Sequence, residues 1–359
     1  MKVIVILPHP NRHYYDPFKT LSEKGHIDTR YVFLGSQPHY RKDVDWRVPS
    51  NKVYNGRNIF RIFGMIAKSD TVVFGGIASP LITMQILFFL SRLLLKKIIV
   101  ATEEVSFKKI DNKFIKKLIS IFFDSKYVIC FAIGNRVKAT YSNVGISKWT
   151  FLRFGCFENR NTLDKLVGKE GKVRLLSVGS LVENKNHILI IEAMKKYSGD
   201  KEVELNIAGD GPLKEYITKQ SESLPLNVKV IMHGFCNEAE LDKLYSISDI
   251  FIHPSIRDRW GATVSQAVDA SLPLLISDTV GSGEGFLLRK GFNGFDFSNK
   301  EEFSRWLYEL IDNDELRSTI SKNANEMSKL WGHHAVCDAL KNYLKFGAIN
   351  CSTLPLSKI

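Results

Sequence analysis

The residues of this 359-residue chain best placed to do chemistry lie between positions 250 and 267, where an apolar run meets a polar turn and then a small-residue helix start. Pro254 and Ser255 close the run, which reads as a buried parallel strand. Gly261, Ala262 and Thr263 then open a helix whose unpaired N–H groups and dipole favour an anion. Asp258 sits in the turn and Gln266 follows eight residues later inside the helix, so two hydrogen-bonding side chains can approach one ligand from two sides. That combination suits a sugar attached to a phosphate. Lys185 adds a cation: it follows a strand and the Gly179 turn and precedes a helix expected over 186–197, so its ammonium can reach a phosphate at the strand ends.

The turn resembles the signature of the retaining, GT-B-fold glycosyltransferases of family 4: a Pro-Ser turn, then E-x7-E with an aromatic-Gly pair inside, here Trp260 and Gly261. This chain reads D-x7-Q. Four further landmarks come in the family's order, over 178–186, 207–213, 233–235 and 273–278, and a fifth, Gly291 to Gly294, follows them. The resemblance spans about residues 172–335, and the first half of the chain shares only the outline. It implies a metal-independent, retaining transferase with no cofactor. The donor would be a nucleotide-diphosphate sugar, UDP-linked in preference to GDP-linked, and the acceptor a lipid-linked saccharide in surface polysaccharide synthesis (O-antigen, capsule or lipopolysaccharide).

Transfer needs charge stabilisation on the departing diphosphate, contacts to the sugar, and a way to handle the acceptor proton. By resemblance, Asp258 is the catalytic acid at the transferred sugar and Gln266 replaces the acid that accepts from the ribose. Lys185 grips the diphosphate, and Gly179, Ser180, Gly261, Ala262 and Thr263 line the donor with Arg257 and Trp260. The backbone at Gly234 and Phe235 reads the base. The family pairs its lysine with an arginine five residues earlier, where this chain has Ser180, so Arg257 or Arg259 is the candidate replacement. Many members carry an acceptor-side histidine after the fourth strand; here Glu103 and Glu104 stand there, Glu103 as a catalytic candidate and Glu104 on the acceptor side, together with His9 after the first strand.

These residues need two α/β sheets to hold them. Short β-rich runs alternate with helical patterns, predicting strands over 3–7, 30–34, 71–74, 98–101, 127–131 and 150–154, then over 173–178, 204–208, 229–232, 250–253 and 274–277. The expected architecture is GT-B, two Rossmann-like parallel-sheet domains facing a cleft: 1–165 for the acceptor, 166–335 for the nucleotide sugar, and a helix and tail, 336–359, that could cross back. The linker is placed at 158–172. Ligands of open α/β sheets sit beyond the carboxyl ends of the strands.

A net charge of +12 invites a nucleic-acid reading, yet no helix-turn-helix, zinc-finger or RNA-recognition pattern organises it, so an anionic membrane surface or lipid-linked phosphate is the expected partner and nucleic acid is not. Five scattered cysteines read as reduced and cytosolic, and no grouping suggests a metal site. The apolar segment 81–95 is shorter than the ~20 residues a bilayer crossing needs. Over 107–123, Lys108, Lys109, Lys113, Lys116 and Lys117 fall on one half of a helical wheel and apolar residues on the other, so the expectation is an apolar face on the core and a lysine face toward lipid. The protein is accordingly expected in the cytoplasm, peripherally bound to the inner face of the membrane. Two rival readings are a GT-A enzyme using a D-x-D metal site at 43–45 or 312–314, and a degenerate nucleotide-sugar-binding subunit supporting a partner transferase, for which Ser180 and Gln266 speak.

Overall fold

The computed structural model describes residues 1–9, 12–35, 53–56, 58–76, 82–105, 112–155, 171–350 and 354–359. Lys108, Lys109, the 43–45 motif and nearly all of the expected linker lie outside them. Contacts divide the chain into two units, Met1–Asn159 with His333–Ile359, and Arg160–Gly332.

The first unit is a seven-stranded sheet: β1 (Lys2–Leu7), β2 (Asp28–Phe33), β3 (Val53–Asn55), β4 (Thr71–Gly75), β5 (Lys97–Glu103), β6 (Val128–Ile133) and β7 (Thr150–Phe154), in the order β3-β2-β1-β4-β5-β6-β7. All of its neighbouring strands run parallel. β3 is missing from the sequence reading because three residues at a sheet edge carry no usable alternation. The intervening helices are α1 (Arg12–Glu23), α2 (Ile59–Ala67), α3 (Ile82–Leu93), α4 (Lys113–Phe123) and α5 (Val137–Ser142). Because side chains alternate along a strand, Ile4 and Ile6 join a core with Ile62 and Ile66 of α2 and Leu87 and Phe88 of α3.

The helix α4 departs from expectation. None of its residues is buried; among its side chains only Ile119 and Phe123 pack against the core. The apolar half that was assigned to the core instead points outward, with Phe114 67% and Ile121 59% exposed. The core at this position is formed by Phe88, Trp149 and Phe151, and α4 meets it through Phe123, whose ring lies 5.4 Å from Phe88 and whose carbonyl accepts from Trp149 Nε1 at 2.9 Å.

The second unit is a six-stranded parallel sheet of β8 (Lys172–Val178), β9 (Glu202–Ala208), β10 (Val228–Gly234), β11 (Ile250–His253), β12 (Leu274–Ser277) and β13 (Gly294–Phe297), in the order β10-β9-β8-β11-β12-β13. Its helices are α6 (Ile188–Met194), α7 (Lys214–Ser221), α8 (Glu238–Ile247), α9 (Ala262–Asp269), α10 (Lys300–Asp312) and α11 (Asp314–Trp331). The helix expected over 186–197 is shorter because Asn186 is left-handed, with φ 52°, and ends a preceding 3₁₀ turn. The last helix, α12 (His333–Phe346), returns to the first unit: His333 Nε2 lies 2.9 Å from Thr20 Oγ1 of α1, and the tail pairs with β7 through Arg153 N donating to the Ser357 carbonyl at 2.8 Å. Two Rossmann-like parallel-sheet units are therefore what the alternating pattern encodes.

Glycines let the strand ends of the second unit meet. A Cβ on Gly209, after β9, would lie 1.9 Å from the carbonyl oxygen of Gly179, after β8. Gly209→Ala is expected to cost about 2 kcal/mol or more in urea denaturation, because backbone must move to admit the methyl. Gly64→Ala in α2, where a Cβ meets nothing within 4 Å, should instead stabilise by about 0.5–1 kcal/mol.

Candidate functional site

In the second sheet the chain leaves β8 in one direction toward β9 and returns on its other side at β11, so the strand order reverses at β8. Such reversals open a crevice at the carboxyl ends of the strands. After β8 comes the Gly179 turn, then a single 3₁₀ turn, Glu183–Lys185. After β11 the chain runs through Pro254 and Ser255, both buried, to Gly261, a left-handed N-cap (φ 85°) with no side chain to cap the helix. The first N–H groups of α9 therefore face the crevice end without a side-chain cap, as the anion-site reading requires.

Two hydrogen bonds lock these segments together: Ile256 N donates to the Asn184 carbonyl at 2.8 Å, and the Asn184 amide donates to the Arg257 carbonyl at 2.9 Å. Lys185 is thereby held against Asp258, and the two side chains form an ion pair. Asp258 also bonds His253 Nε2 at 3.0 Å. Burial opposes ionisation of Asp258, but the His253 hydrogen bond and the Lys185 charge outweigh it and hold the carboxyl well below the usual carboxylate range. His253 is itself pushed down by burial, against the pull of Asp258, and so is neutral. An ionised Asp258 only accepts; His253 therefore carries its proton on Nε2, and Nδ1 is left to face Thr263 Oγ1 at 3.4 Å.

His187 escaped the sequence reading. It is buried directly behind the Gly179 turn, with Nδ1 3.1 Å from Ser177 Oγ and Nε2 without a hydrogen-bond partner. Burial, then the neighbouring His253 and Lys185, push its pKa down to about 4. A histidine just before a helical apolar run looks like a cap in sequence; only the sheet edge beneath it shows that it faces the turn.

Of the other donor-side candidates, Gly179, Gly261, Ala262 and Thr263 border this network. Gly234 is joined to it through Gly209, whose N–H donates to the Gly234 carbonyl at 2.7 Å, and Phe235 next to it is 84% exposed. Ser180, Arg257 and Arg259 are exposed. Gln266 is held at 3.0 Å by Tyr245 Oη, which also donates to the Thr263 carbonyl at 3.1 Å, so the side-chain amide is fixed at the start of α9. Trp260 is a correction. It is 2% exposed, donates to Ser265 Oγ at 2.9 Å and packs edge-on against Phe286, so its side chain is part of the core and does not line the donor. The loop 281–285 is bonded to the site turn: Gly281 N donates to the Asp258 carbonyl at 3.0 Å and Ser282 N to that of Trp260 at 3.1 Å.

In the first unit, His9 follows β1 and Glu103 ends β5, both at the carboxyl edge of that sheet. Glu104 is paired with Arg136 at 2.9 Å. The 312–314 motif is structural, since Asp312 accepts from Tyr197 Oη at 2.5 Å and Asp314 pairs with Lys201 at 2.6 Å. Among the described residues no His, Cys, Asp or Glu group is arranged to hold a metal.

Residues 159–327 match the family model for glycosyl transferases group 1. The alpha-monoglucosyldiacylglycerol synthase of Acholeplasma laidlawii is 32% identical over 154 residues, 43% of this chain and 36% of that protein. The N-acetylgalactosamine-N,N'-diacetylbacillosaminyl-diphospho-undecaprenol 4-alpha-N-acetylgalactosaminyltransferase of Campylobacter jejuni is 27% identical over 173 residues, 47% of this chain and 46% of that protein. The chain thus spans less than half the length of either relative. The solved structure of Anabaena HepE in complex with UDP superposes with a TM-score of 0.70 at 13% identity, covering 96% of this chain and 99% of the other, which shows the shared GT-B fold.

The buried histidines set a pH dependence. His187 has a folded pKa of about 4 against 6.5 in its ordinary state, so as pH falls the unfolded chain takes up the proton first. Stability is full above 6.5 and is lost down to about 4, by about 3 kcal/mol from this residue. Urea titrations at about pH 7 and about pH 4.5 should show the loss, and His187→Gln should flatten the profile.

Proposed function

We infer that the chain is a glycosyltransferase that moves a sugar from a nucleotide-diphosphate sugar, a UDP-sugar in preference to a GDP-sugar, to a lipid-linked saccharide acceptor, with retention and without a metal. The observation that carries this reading is the convergence of the Lys185 ammonium, the ionised Asp258 and the uncapped start of α9 at the reversal point of the second sheet. The relatives' names, one a synthase of a monoglucosyldiacylglycerol and one a transferase to a saccharide on diphospho-undecaprenol, support a lipid-borne acceptor and a place in surface glycan synthesis.

The chemistry follows from the network. An entering diphosphate competes with Asp258 for Lys185 and adds the α9 N–H groups as further donors. Asp258 stays ionised because His253 still donates to it. As the bond from the sugar carbon to the departing diphosphate breaks, positive charge develops at that carbon, and a carboxylate beside it stabilises the transition state more than the ground state. The Gln266 amide addresses the ribose. Glu103 is the candidate to orient the acceptor hydroxyl, with His9 and Glu104 on the acceptor side.

A nucleotide-sugar panel tests this, with binding and turnover followed in excess chelator. Binding and slow donor hydrolysis should persist; activity abolished by chelation and restored by manganese or magnesium would overturn the metal-independent mechanism. Lys185→Ala should weaken donor binding about 10- to 100-fold. Asp258→Asn should change donor affinity little yet lower turnover about 100- to 1,000-fold. Equal binding by wild type and Asp258→Asn, with no donor and acceptor pair turning over, would favour the binding-subunit reading.

A further inference from the structure

The outer surfaces of α2, α3 and α4 are unusual for a folded protein. Of the 21 large hydrophobic side chains exposed among the described residues, 11 lie on these three helices, which are 9, 12 and 11 residues long. On α3 they form one stripe, Ile82, Ile86, Phe89 and Leu93, at the helical repeat and facing away from the buried Met84, Leu87 and Phe88. On α4 the exposed hydrophobics are Phe114, Ile115, Leu118, Ile121 and Phe122. The two surfaces are continuous: the Phe89 and Phe122 rings meet edge-on at 6.3 Å, and the Arg92 guanidinium donates to the Phe122 carbonyl. In the second unit exposed hydrophobics are single residues scattered along the chain, such as Tyr216, Leu226 and Ile256. A contiguous apolar surface of this kind marks a place where something else excludes water.

Charge decides what. The three helices carry Arg61, Arg92, Lys113, Lys116 and Lys117 and no acidic residue. A second copy of the chain seated on this face would bring like charges together across an apolar contact, whereas an anionic lipid surface satisfies both properties at once. No helix among the described residues is long and apolar enough to cross a membrane, so the helices would lie in the interface plane.

We propose that α2, α3 and α4 form a membrane-docking face that seats its apolar side chains in the interface of an anionic bilayer, with Lys113 and Lys117 at headgroup level. The apolar half of α4 enters the lipid, reversing the orientation expected from its sequence, and the lysines flank it. This face is independent of the donor site, and solution binding of a nucleotide sugar, followed in parallel, reports separately on the transfer reading.

The test is cosedimentation of the full chain with vesicles of phosphatidylcholine alone or mixed with phosphatidylglycerol. Wild type is expected to bind the mixed vesicles and to retain part of that binding when salt screens the headgroups. Ile86→Ser combined with Phe114→Ser, both at exposed positions, should lower binding about tenfold or more with donor binding and melting temperature unchanged. Lys113→Glu with Lys117→Glu should lower it and remove the preference for phosphatidylglycerol. In Phe114→Trp, bromine-labelled acyl chains should quench fluorescence beyond the wild-type level. The proposal is overturned if wild type ignores mixed vesicles at low salt, if the serine pair binds them as wild type does, or if the added tryptophan is not quenched. It is equally overturned if the chain dimerises in light scattering and the serine pair abolishes the dimer.

Discussion

A carboxylate taken out of water must be compensated where it stands, and Asp258 is compensated from two sides at once, by the ammonium of Lys185 and the imidazole of His253. Removing either partner leaves a largely buried charge less well compensated. The arrangement of the second unit around the crevice serves this requirement. Lys185 comes from the turn after β8 and His253 from the end of β11, adjacent strands brought side by side by the reversal of strand order. The Asn184 bonds to the turn after β11 keep Lys185 in reach, and His253 is kept neutral by burial, so it donates without adding a second positive charge.

The crevice floor is made of backbone. Gly179, Gly209 and Gly234 end three successive strands, and they approach so closely that side chains are excluded at Gly209. On the far side Gly281 does the same against the Arg259 carbonyl, 1.7 Å from where its Cβ would be. Side chains with charge therefore stand above a bed of peptide groups, an environment that can offer N–H donors to an anion. The orphaned Nε2 of His187 behind the Gly179 turn fits the same setting.

The two units share a fold plan and differ in surface. In the second, apolar helix faces are buried in one core with α6 and α10. In the first, the helices on one side of the sheet bury one face and leave a second apolar face outside, which a monomeric protein in water gains nothing by keeping.

Sequence alone determined the alternation of strands and helices, because period-two and period-3.6 patterns and glycine turns are local properties; the strands 150–154, 250–253 and 274–277 have the same limits in the structure. It also determined which residue types could hold a phosphate and a sugar, since Lys185, Asp258 and the start of α9 are identifiable by type and spacing. Only tertiary structure decided that Lys185 and Asp258 pair with each other, that His253 and His187 stand behind them, and that Trp260 is core, because each depends on contacts between segments remote in sequence or on burial. It also decided which side of α4 faces out. An amphipathic helix has two faces and its sequence labels them apolar and charged; which positions meet the protein is set by the surface the helix lands on, and here only Ile119 and Phe123 of α4 pack against the core.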